Sequence, residues 1–271
     1  MSKVITFGLQ KGGVGKSTTV GVVSHLFAKD GYKVLVVDMD SQGNVSETLS
    51  GLSSNEFEDK SIFEAIITKN PKEYIYKADE KIDLIPANNY LALFPKWIYT
   101  NDYFGDTFDL NGKAYEQLKL TLDSIKDDYD YILIDTPPPA LSEQTTNALI
   151  ASDYVVTMYE CSQYCYSAIE NFFKSIESAQ SIQERTYNKG LRKLGILRTL
   201  TDKRRSDAKM FNELIESDYP ELVFNTIITR KASTGRLPVF GFNADNKELN
   251  DAIKEYKDFY KELLARIERT E

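Results

Sequence analysis

The sequence predicts a doubly wound α/β fold, with a mainly parallel sheet and helices on both of its faces. Short runs rich in Val and Ile alternate along the chain with longer stretches of helical patterning. The runs are continuously apolar rather than alternating, as expected of parallel strands that are buried on both faces. A glycine-rich loop also joins the first run directly to the first helical stretch. Strand followed by helix, repeated, is typical of an α/β domain.

The elements follow in order from the first run, VITFGL, which leads into the glycine loop and the first helical stretch. The predicted strands are residues 4–9, 34–37, 82–85, 131–134, 154–158, 194–197 and 223–228. The predicted helices are residues 16–29, 61–68, 114–126, 142–151, 167–183, 207–216 and 247–269. Residues 86–113 fit the alternation poorly and are expected to form a surface excursion with an aromatic cluster. No repeat or linker divides the chain, so residues 1–271 are expected to form a single domain.

The composition excludes two classes of small protein. The chain has 271 residues, 42% apolar and 27% charged, with two cysteines and one histidine. Two cysteines cannot build a disulfide framework, and one histidine offers little to a His-rich metal site. A secreted mini-protein and a zinc module are therefore excluded.

The net charge of −8 argues against a general nucleic-acid binder, because phosphate repels an acidic surface. The N-terminus has an apolar stretch too short for a signal peptide, and no later run approaches the length of a membrane span. A cytoplasmic protein is expected.

The segment QKGGVGKST predicts a phosphate-binding loop. Gly12, Gly13 and Gly15 leave room for backbone N–H groups to turn towards phosphate oxygens at a helix N-terminus. Lys16 is expected to reach the β- and γ-phosphates, and the Ser17 hydroxyl to bind Mg²⁺. The general pattern would need glycine at position 10, where this chain has glutamine, so the loop is a variant with a second lysine at position 11.

Aspartates follow two of the predicted strands. Asp38 and Asp40 come after VLVV, and Asp135 comes after YILI. The carboxyl ends of the strands are the edge at which open α/β sheets bind ligands. One aspartate at this edge can hold Mg²⁺ or its waters, while another orients the attacking water.

These motifs together resemble the ParA family of DNA-partition ATPases, within the deviant Walker A group of P-loop NTPases. QKGGVGKST is similar to the family's deviant Walker A, VVDMDSQGN to its Walker A′ segment and YILIDTPP to its Walker B. ASDYVV, LGILRTLTDKR, VFNTIITR and GRLPV resemble further family segments, so that the likeness covers nearly the whole chain. In this chain Ser41 stands where a proline follows the second aspartate in many relatives, a departure that removes no charged group.

The resemblance implies binding of ATP with Mg²⁺, slow hydrolysis that a partner stimulates, and roles for particular residues. Lys11 would act across an ATP-dependent homodimer on the partner's nucleotide, and Asp40 would activate the hydrolytic water. Ser17, Asp38 and Asp135 would hold the metal. The implied nucleotide contacts are Lys11, Gly12, Gly13, Val14, Gly15, Lys16, Ser17 and Thr18, with Thr199 and Pro238 near the base.

The resemblance also implies non-specific binding to double-stranded DNA and a ParB-like centromere-binding partner. Residues 185–209 hold nine basic and two acidic residues, a local net charge of +7 against −15 for the remainder. The residues that resemble DNA contacts lie in this stretch and after the last strand: Lys203, Arg204, Arg205, Arg230 and Lys231. The loop begins about ten residues into the chain, so we expect no N-terminal helix-turn-helix domain and no operator specificity. A nucleoid-associated cytoplasmic protein is expected.

Two alternatives stay open at this point. A MinD-like membrane ATPase would use the apolar stripe of residues 249–267, although the mixed charges beside it favour a helix docked on the core. A related ATPase that positions a protein cargo would share every motif above. Cys161 and Cys165 are interpreted as buried structural thiols rather than ligands of an iron-sulfur cluster.

Overall fold

The computed structural model describes residues 2–9, 11–100, 113–138, 142–187, 190–202, 206–242 and 247–270. Its strands are β1 (Lys3–Gly8), β2 (Val34–Asp38), β3 (Tyr76–Lys77), β4 (Ile82–Ile85), β5 (Tyr131–Asp135), β6 (Tyr154–Glu160), β7 (Arg192–Thr201) and β8 (Val223–Thr229). Its α-helices are α1 (Lys16–Lys29), α2 (Asn44–Ser50), α3 (Ile62–Thr68), α4 (Phe94–Thr100), α5 (Gln117–Asp123), α6 (Glu143–Ala151), α7 (Gln163–Tyr187), α8 (Ser206–Asp218), α9 (Leu237–Phe240) and α10 (Lys247–Thr270). Short 3₁₀ turns lie between several of them.

The strands form one sheet in the order β3-β4-β2-β5-β1-β6-β7-β8. Only β3 runs antiparallel to its neighbour among the described strands; every other pairing is parallel. The chain winds outwards from β1 in both directions, to β2 on one side and to β6 on the other. Such a reversal opens a crevice at the carboxyl ends of the central strands. The predicted doubly wound, mainly parallel sheet is confirmed.

Both faces of the sheet are buried. Along β2, Val34 and Val36 belong to one apolar cluster, while Leu35 and Val37 belong to the other. The first cluster packs the sheet against α1, α7, α8 and α10, and the second against α3 to α6. Two covered faces explain why consecutive positions of a strand such as β2, residues 34–37, are all apolar.

The last helix, α10, lies on the core. The apolar stripe predicted from the sequence is buried along its whole length, for example at Tyr256 and Leu263, which confirms a docked helix. On its outer side, Glu255 accepts hydrogen bonds from the backbone N–H and hydroxyl of Thr229 at 2.7 Å, and Glu262 accepts from the backbone N–H groups of Asn225 and Thr226. None of the described helices is long and apolar enough to cross a membrane.

Three features differ from the expectations. Helix α2 and the two-residue β3 carry no strong periodic pattern and were not predicted. In the poorly patterned stretch, Phe94 of α4 is fully buried and stacks on Trp97, so this part is core as well as surface; residues 101–112 lie outside the described part. Arg198, counted above among the basic residues, is buried and bonded to Asn212 and to the carbonyl of Phe224, so it does not belong to a basic surface.

Candidate nucleotide-binding site

The glycine loop lies where the first strand meets the first helix, at the centre of the sheet edge. Gly13 and Gly15 adopt left-handed backbone conformations, with φ of 75° and 80°, which side chains with a Cβ rarely tolerate. Lys16, at the first position of α1, is buried, and its ammonium group donates to the carbonyl of Lys11 at 3.0 Å. The loop therefore encloses its own lysine at a helix N-terminus, which is the arrangement that binds phosphate.

A cleft of about 480 Å³ opens above the loop. Its described lining includes the predicted residues Gly12, Gly13, Val14, Gly15, Lys16, Ser17, Thr18 and Asp40, together with the predicted DNA contacts Arg230 and Lys231. Lys11, Asp38, Asp135 and Thr199 are not among the lining residues; they lie behind or beside it. The cleft thus joins the loop, the end of β2 and the segment after β8.

Asp38 and Asp40 form a tight turn at the end of β2. Asp38 is fully buried and accepts hydrogen bonds from the Asp40 backbone N–H at 3.0 Å and from the Ser46 backbone N–H and hydroxyl at 3.1 and 2.7 Å. Burial raises the pKa of Asp38 to about 7 in spite of these bonds. Asp38 therefore fixes the turn that presents Asp40 to the cleft.

The Asp40 carboxylate is directed to the cleft. One of its oxygens accepts the Gln42 backbone N–H at 3.1 Å, and the residue lines the cavity close to Lys16. Burial raises the pKa of Asp40, while the Gln42 N–H and the Lys16 charge oppose the rise. A carboxylate whose pKa is moved towards neutrality is a better base for a water molecule than an exposed one.

Asp135 ends β5, beside β1. It is fully buried, and neither of its carboxylate oxygens has a regular hydrogen bond within the described residues. Burial and the nearby Asp38 raise its pKa well above the usual range; the adjacent Ser17 hydroxyl and Lys16 partly oppose the rise. An unpartnered buried carboxylate is costly unless it meets a cation. Two oxygens free to bind, beside a hydroxyl, fit the oxygen-ligand preference of Mg²⁺.

Lys11 lies at the start of the loop and contacts the end of β6. Its ammonium group lies 3.4 Å from a Glu160 oxygen and 3.4 Å from the Ser162 hydroxyl, and 5.7 Å from the centre of the Tyr164 ring. The other Glu160 oxygen is 3.3 Å from the guanidinium group of Arg230. Glu160 is thus shared by Lys11 and Arg230.

The remaining predicted residues take separate positions. Thr199, on β7, is buried and donates its hydroxyl proton to the Val14 carbonyl of the loop at 2.7 Å. Pro238 lies in α9. Lys231 is bound to α10 through the Asp251 carbonyl at 3.0 Å, whereas more than half of the Arg230 side chain is exposed. Lys203, Arg204 and Arg205 lie outside the described residues.

Glu160 and Ser46 are site residues that sequence reasoning missed. Glu160 has the signal that identified Asp38 and Asp135, since it is an acidic residue directly after an apolar strand. Ser46 lies eight residues beyond the aspartate that it binds and has no such signal.

Comparison with known proteins agrees with this geometry. The AAA domain family matches residues 2–192. The sporulation initiation inhibitor protein Soj of Bacillus subtilis is 31% identical over 245 residues, covering 89% of each chain. The chromosome-partitioning ATPase Soj of Thermus thermophilus is 30% identical over 266 residues, covering 97% of this chain and 96% of that one.

Among solved structures, cobyrinic acid a,c-diamide synthase from Mycobacterium smegmatis, with bound ATP analogue and magnesium, superposes with a TM-score of 0.78. It is 26% identical, and the match covers 100% of this chain and 98% of that one. The family match and the long alignments with Soj proteins agree with the motifs at the cleft. The chain belongs to the ParA/Soj family of partitioning ATPases.

Proposed function

We propose that this protein binds ATP with Mg²⁺ in the cleft above the glycine loop and hydrolyses the bond between its β- and γ-phosphates. Residues 1–271 are proposed to act as one ATPase domain. One observation carries the proposal: the phosphate-binding loop ends in a buried lysine, Lys16, and close to it lies the buried Asp135, whose oxygens have no regular hydrogen bond among the described residues. The nucleotide and magnesium in the similar solved structure support the choice of ligand.

The residues divide into three roles. The loop N–H groups from Gly12 to Thr18 and the Lys16 ammonium group would bind the phosphates; the ammonium group has three donors, one of which bonds to the Lys11 carbonyl. Ser17 and Asp135 would hold the metal directly or through water, with Asp38 beside them. When bound, Mg²⁺ neutralises the charge that develops on the phosphate oxygens. Asp40 would orient the attacking water and accept its proton.

On one side the cleft is lined by Leu200, near the end of β7, and by Thr234 and Gly235, just before α9. Thr199 belongs to β7 and Pro238 to α9. Because the Thr199 hydroxyl proton is donated to Val14, Thr199 would act on the loop rather than on the base.

We further propose that two chains associate around their nucleotides, with Lys11 acting on the partner's phosphates. In the single chain the Lys11 ammonium group makes long, partly exposed contacts with Glu160 and Ser162, both at 3.4 Å, and lies 5.7 Å from the centre of the Tyr164 ring, so releasing it costs little. A second cation in the phosphate loop is redundant beside Lys16 in one chain, but across a dimer it neutralises charge in trans, as an arginine finger does.

The Lys11→Ala variant is therefore expected to bind nucleotide and to stay monomeric. We expect its dimer dissociation constant with a non-hydrolysable ATP analogue to rise about a hundredfold, as for loss of one desolvated charge partner. Light scattering after gel filtration measures the mass. Lys174→Ala, which removes an exposed lysine paired with Glu170 on α7, is the control. A Lys11→Ala dimer as stable as the wild type would contradict the trans role.

Non-specific DNA binding is proposed to use Arg230 on the dimer. Its side chain is 57% exposed and, among the described residues, is paired with Glu160, whereas Lys231 is engaged with α10. Lys203, Arg204 and Arg205, which lie outside the described residues, are proposed as further DNA contacts. A basic patch doubled by dimerisation would bind DNA only in the ATP state, which fits an otherwise acidic protein.

The Arg230→Ala variant tests this surface. With ATP or its analogue, but not ADP, the wild type should be retained on arbitrary duplex DNA. The variant should bind about three- to tenfold more weakly at about 0.1 M salt, with a salt slope smaller by about 0.9 per arginine removed. Lys174→Ala should match the wild type. Nucleotide affinity is measured in parallel, because Arg230 also lines the cleft. Equal retention of both variants at every salt concentration would refute the assignment.

Release from DNA is proposed to follow hydrolysis, which is slow alone and accelerated by a ParB-like partner at the nucleoid. The similarity to the chromosome-partitioning ATPase Soj of Thermus thermophilus supports a role in DNA partition. The membrane alternative loses its support, because the apolar face of α10 is used by the core.

A further inference from the structure

The end of β7 is attached to the phosphate loop by one buried hydroxyl. Thr199 is 1% exposed, and its Oγ1 donates to the carbonyl oxygen of Val14 at 2.7 Å. The Tyr159 carbonyl, at 3.3 Å, is a second acceptor for the same proton. The contact joins residues 185 positions apart in the chain.

This bond fixes the orientation of one peptide group of the loop. In a planar trans peptide the C=O and the N–H point in opposite directions. When the Val14 carbonyl is held towards β7, the N–H of Gly15 points the other way, into the loop. Without a Cβ, Gly15 permits rotation of this peptide, so the sequence of the loop alone does not hold it.

The next residue covers the same glycine. Leu200 has a left-handed backbone with φ of 51°, which is unfavourable for a residue with a side chain. Its Cγ lies 3.8 Å from the position that a Cβ on Gly15 would occupy. Backbone strain of this kind persists only where contacts with the surrounding structure hold the residue in place. Here it brings an apolar side chain against the flexible glycine.

We propose that Thr199 and Leu200 form a lock on the peptide between Val14 and Gly15, keeping the Gly15 N–H aimed at the bound phosphates. Both are positioning residues that act through the loop. The inference rests on the nucleotide-binding function proposed above, and it assigns Thr199 a role in phosphate binding, not base recognition.

The first test replaces the hydroxyl alone. Thr199→Val keeps the shape and removes the donor, whereas Thr199→Ser keeps the donor. Thr121→Val is the matched control, since Thr121 is also buried and donates to a carbonyl, that of Gln117 on α5, at 2.8 Å. Binding of ATP with Mg²⁺ is measured by competition with a fluorescent analogue, and Tm is measured without nucleotide.

We expect Thr199→Val to bind ATP about tenfold more weakly, in line with one buried hydrogen bond. The ATP affinities of Thr199→Ser and Thr121→Val should stay within about twofold of the wild-type value. The Tm values of Thr199→Val and Thr121→Val should fall by similar amounts. Leu200→Gly, which relieves the strained backbone and removes the cover, should weaken binding without a loss of Tm. Thr199→Val and Leu200→Gly proteins that bind ATP like the wild type would overturn the lock.

A second readout needs no nucleotide. Hydrogen exchange of the loop amides around Gly15 should be faster in Thr199→Val than in the wild type, and unchanged in Thr121→Val. Equal exchange in Thr199→Val and wild type would overturn the lock whatever the ligand. A wild type that binds no ATP would refute the proposed function instead, so the two failures are distinct.

Discussion

Replacing Lys16 with alanine is expected to abolish useful nucleotide binding. The ammonium group is buried under the glycine loop, where burial lowers its pKa and the Asp135 and Asp40 carboxylates oppose that effect. A buried ammonium group interacts more strongly with phosphate than an exposed one does. Loss of such a charge-assisted hydrogen bond costs about 3 kcal/mol. We expect ATP affinity to fall about a hundredfold or more in fluorescence titrations.

The folded state should tolerate this change. Removal of Lys16 costs the hydrogen bond to the Lys11 carbonyl but also removes a buried charge, so Tm without nucleotide should change by only a few degrees. Lys174→Ala controls for loss of a lysine. A Lys16→Ala protein with wild-type ATP affinity would show that the cleft is not the phosphate site.

Asp40→Ala should separate binding from hydrolysis. The Asp40 carboxylate is expected to accept the proton of the attacking water, a role worth about 10²- to 10⁴-fold in rate. The Asp40 carboxylate acts on Lys16 and Asp135 through its charge, and it accepts a hydrogen bond from the Gln42 backbone N–H, outside the phosphate loop. We therefore expect phosphate release to fall by about a thousandfold, while ATP affinity and ATP-dependent dimerisation persist.

The control for Asp40→Ala is Asp123→Ala, on α5. Asp123 is an aspartate paired with two lysines and is not among the residues that line the cleft. Steady-state and single-turnover hydrolysis are both measured, so that slow product release is not mistaken for slow chemistry. Hydrolysis by Asp40→Ala at the wild-type rate would assign the water to another group, with Glu47, which also lines the cleft, as the next candidate.

Most of the fold follows from local sequence. The central strands are continuously apolar because both faces are covered, and this pattern identified β1, β2, β4, β5 and β6 within a few residues. Strand β7 extends further than predicted, through Arg198, Thr199 and Thr201. These polar side chains bond to partners distant in the chain, so their burial has no local signal. Helix α2 has seven residues, of which only Val45 and Leu49 are apolar, so it lacks the apolar pattern that identified the equally short α3.

The candidate site, like the fold, was predicted only in part from the sequence. The glycine loop and the aspartates after β2 and β5 are recognisable because strand, loop and helix occur in order along the chain. The pairing of Lys11 with Glu160 spans 149 residues, and the Ser46 bond to Asp38 depends on an unpredicted helix. Contacts of this kind depend on the strand order, in which β1 lies beside β6. The local pattern of apolar residues does not indicate them.

Both margins of the sheet are closed to further strands. At one margin β3 has only two residues, too short to template a neighbour. At the other, Glu255 and Glu262 already occupy backbone N–H groups of β8 that an incoming strand would need. Blunted edges of this kind protect a β-sheet protein from aggregation. Several copies bound to one DNA molecule, as proposed above, could therefore associate through the surfaces that contain the cleft without pairing the edges of their sheets.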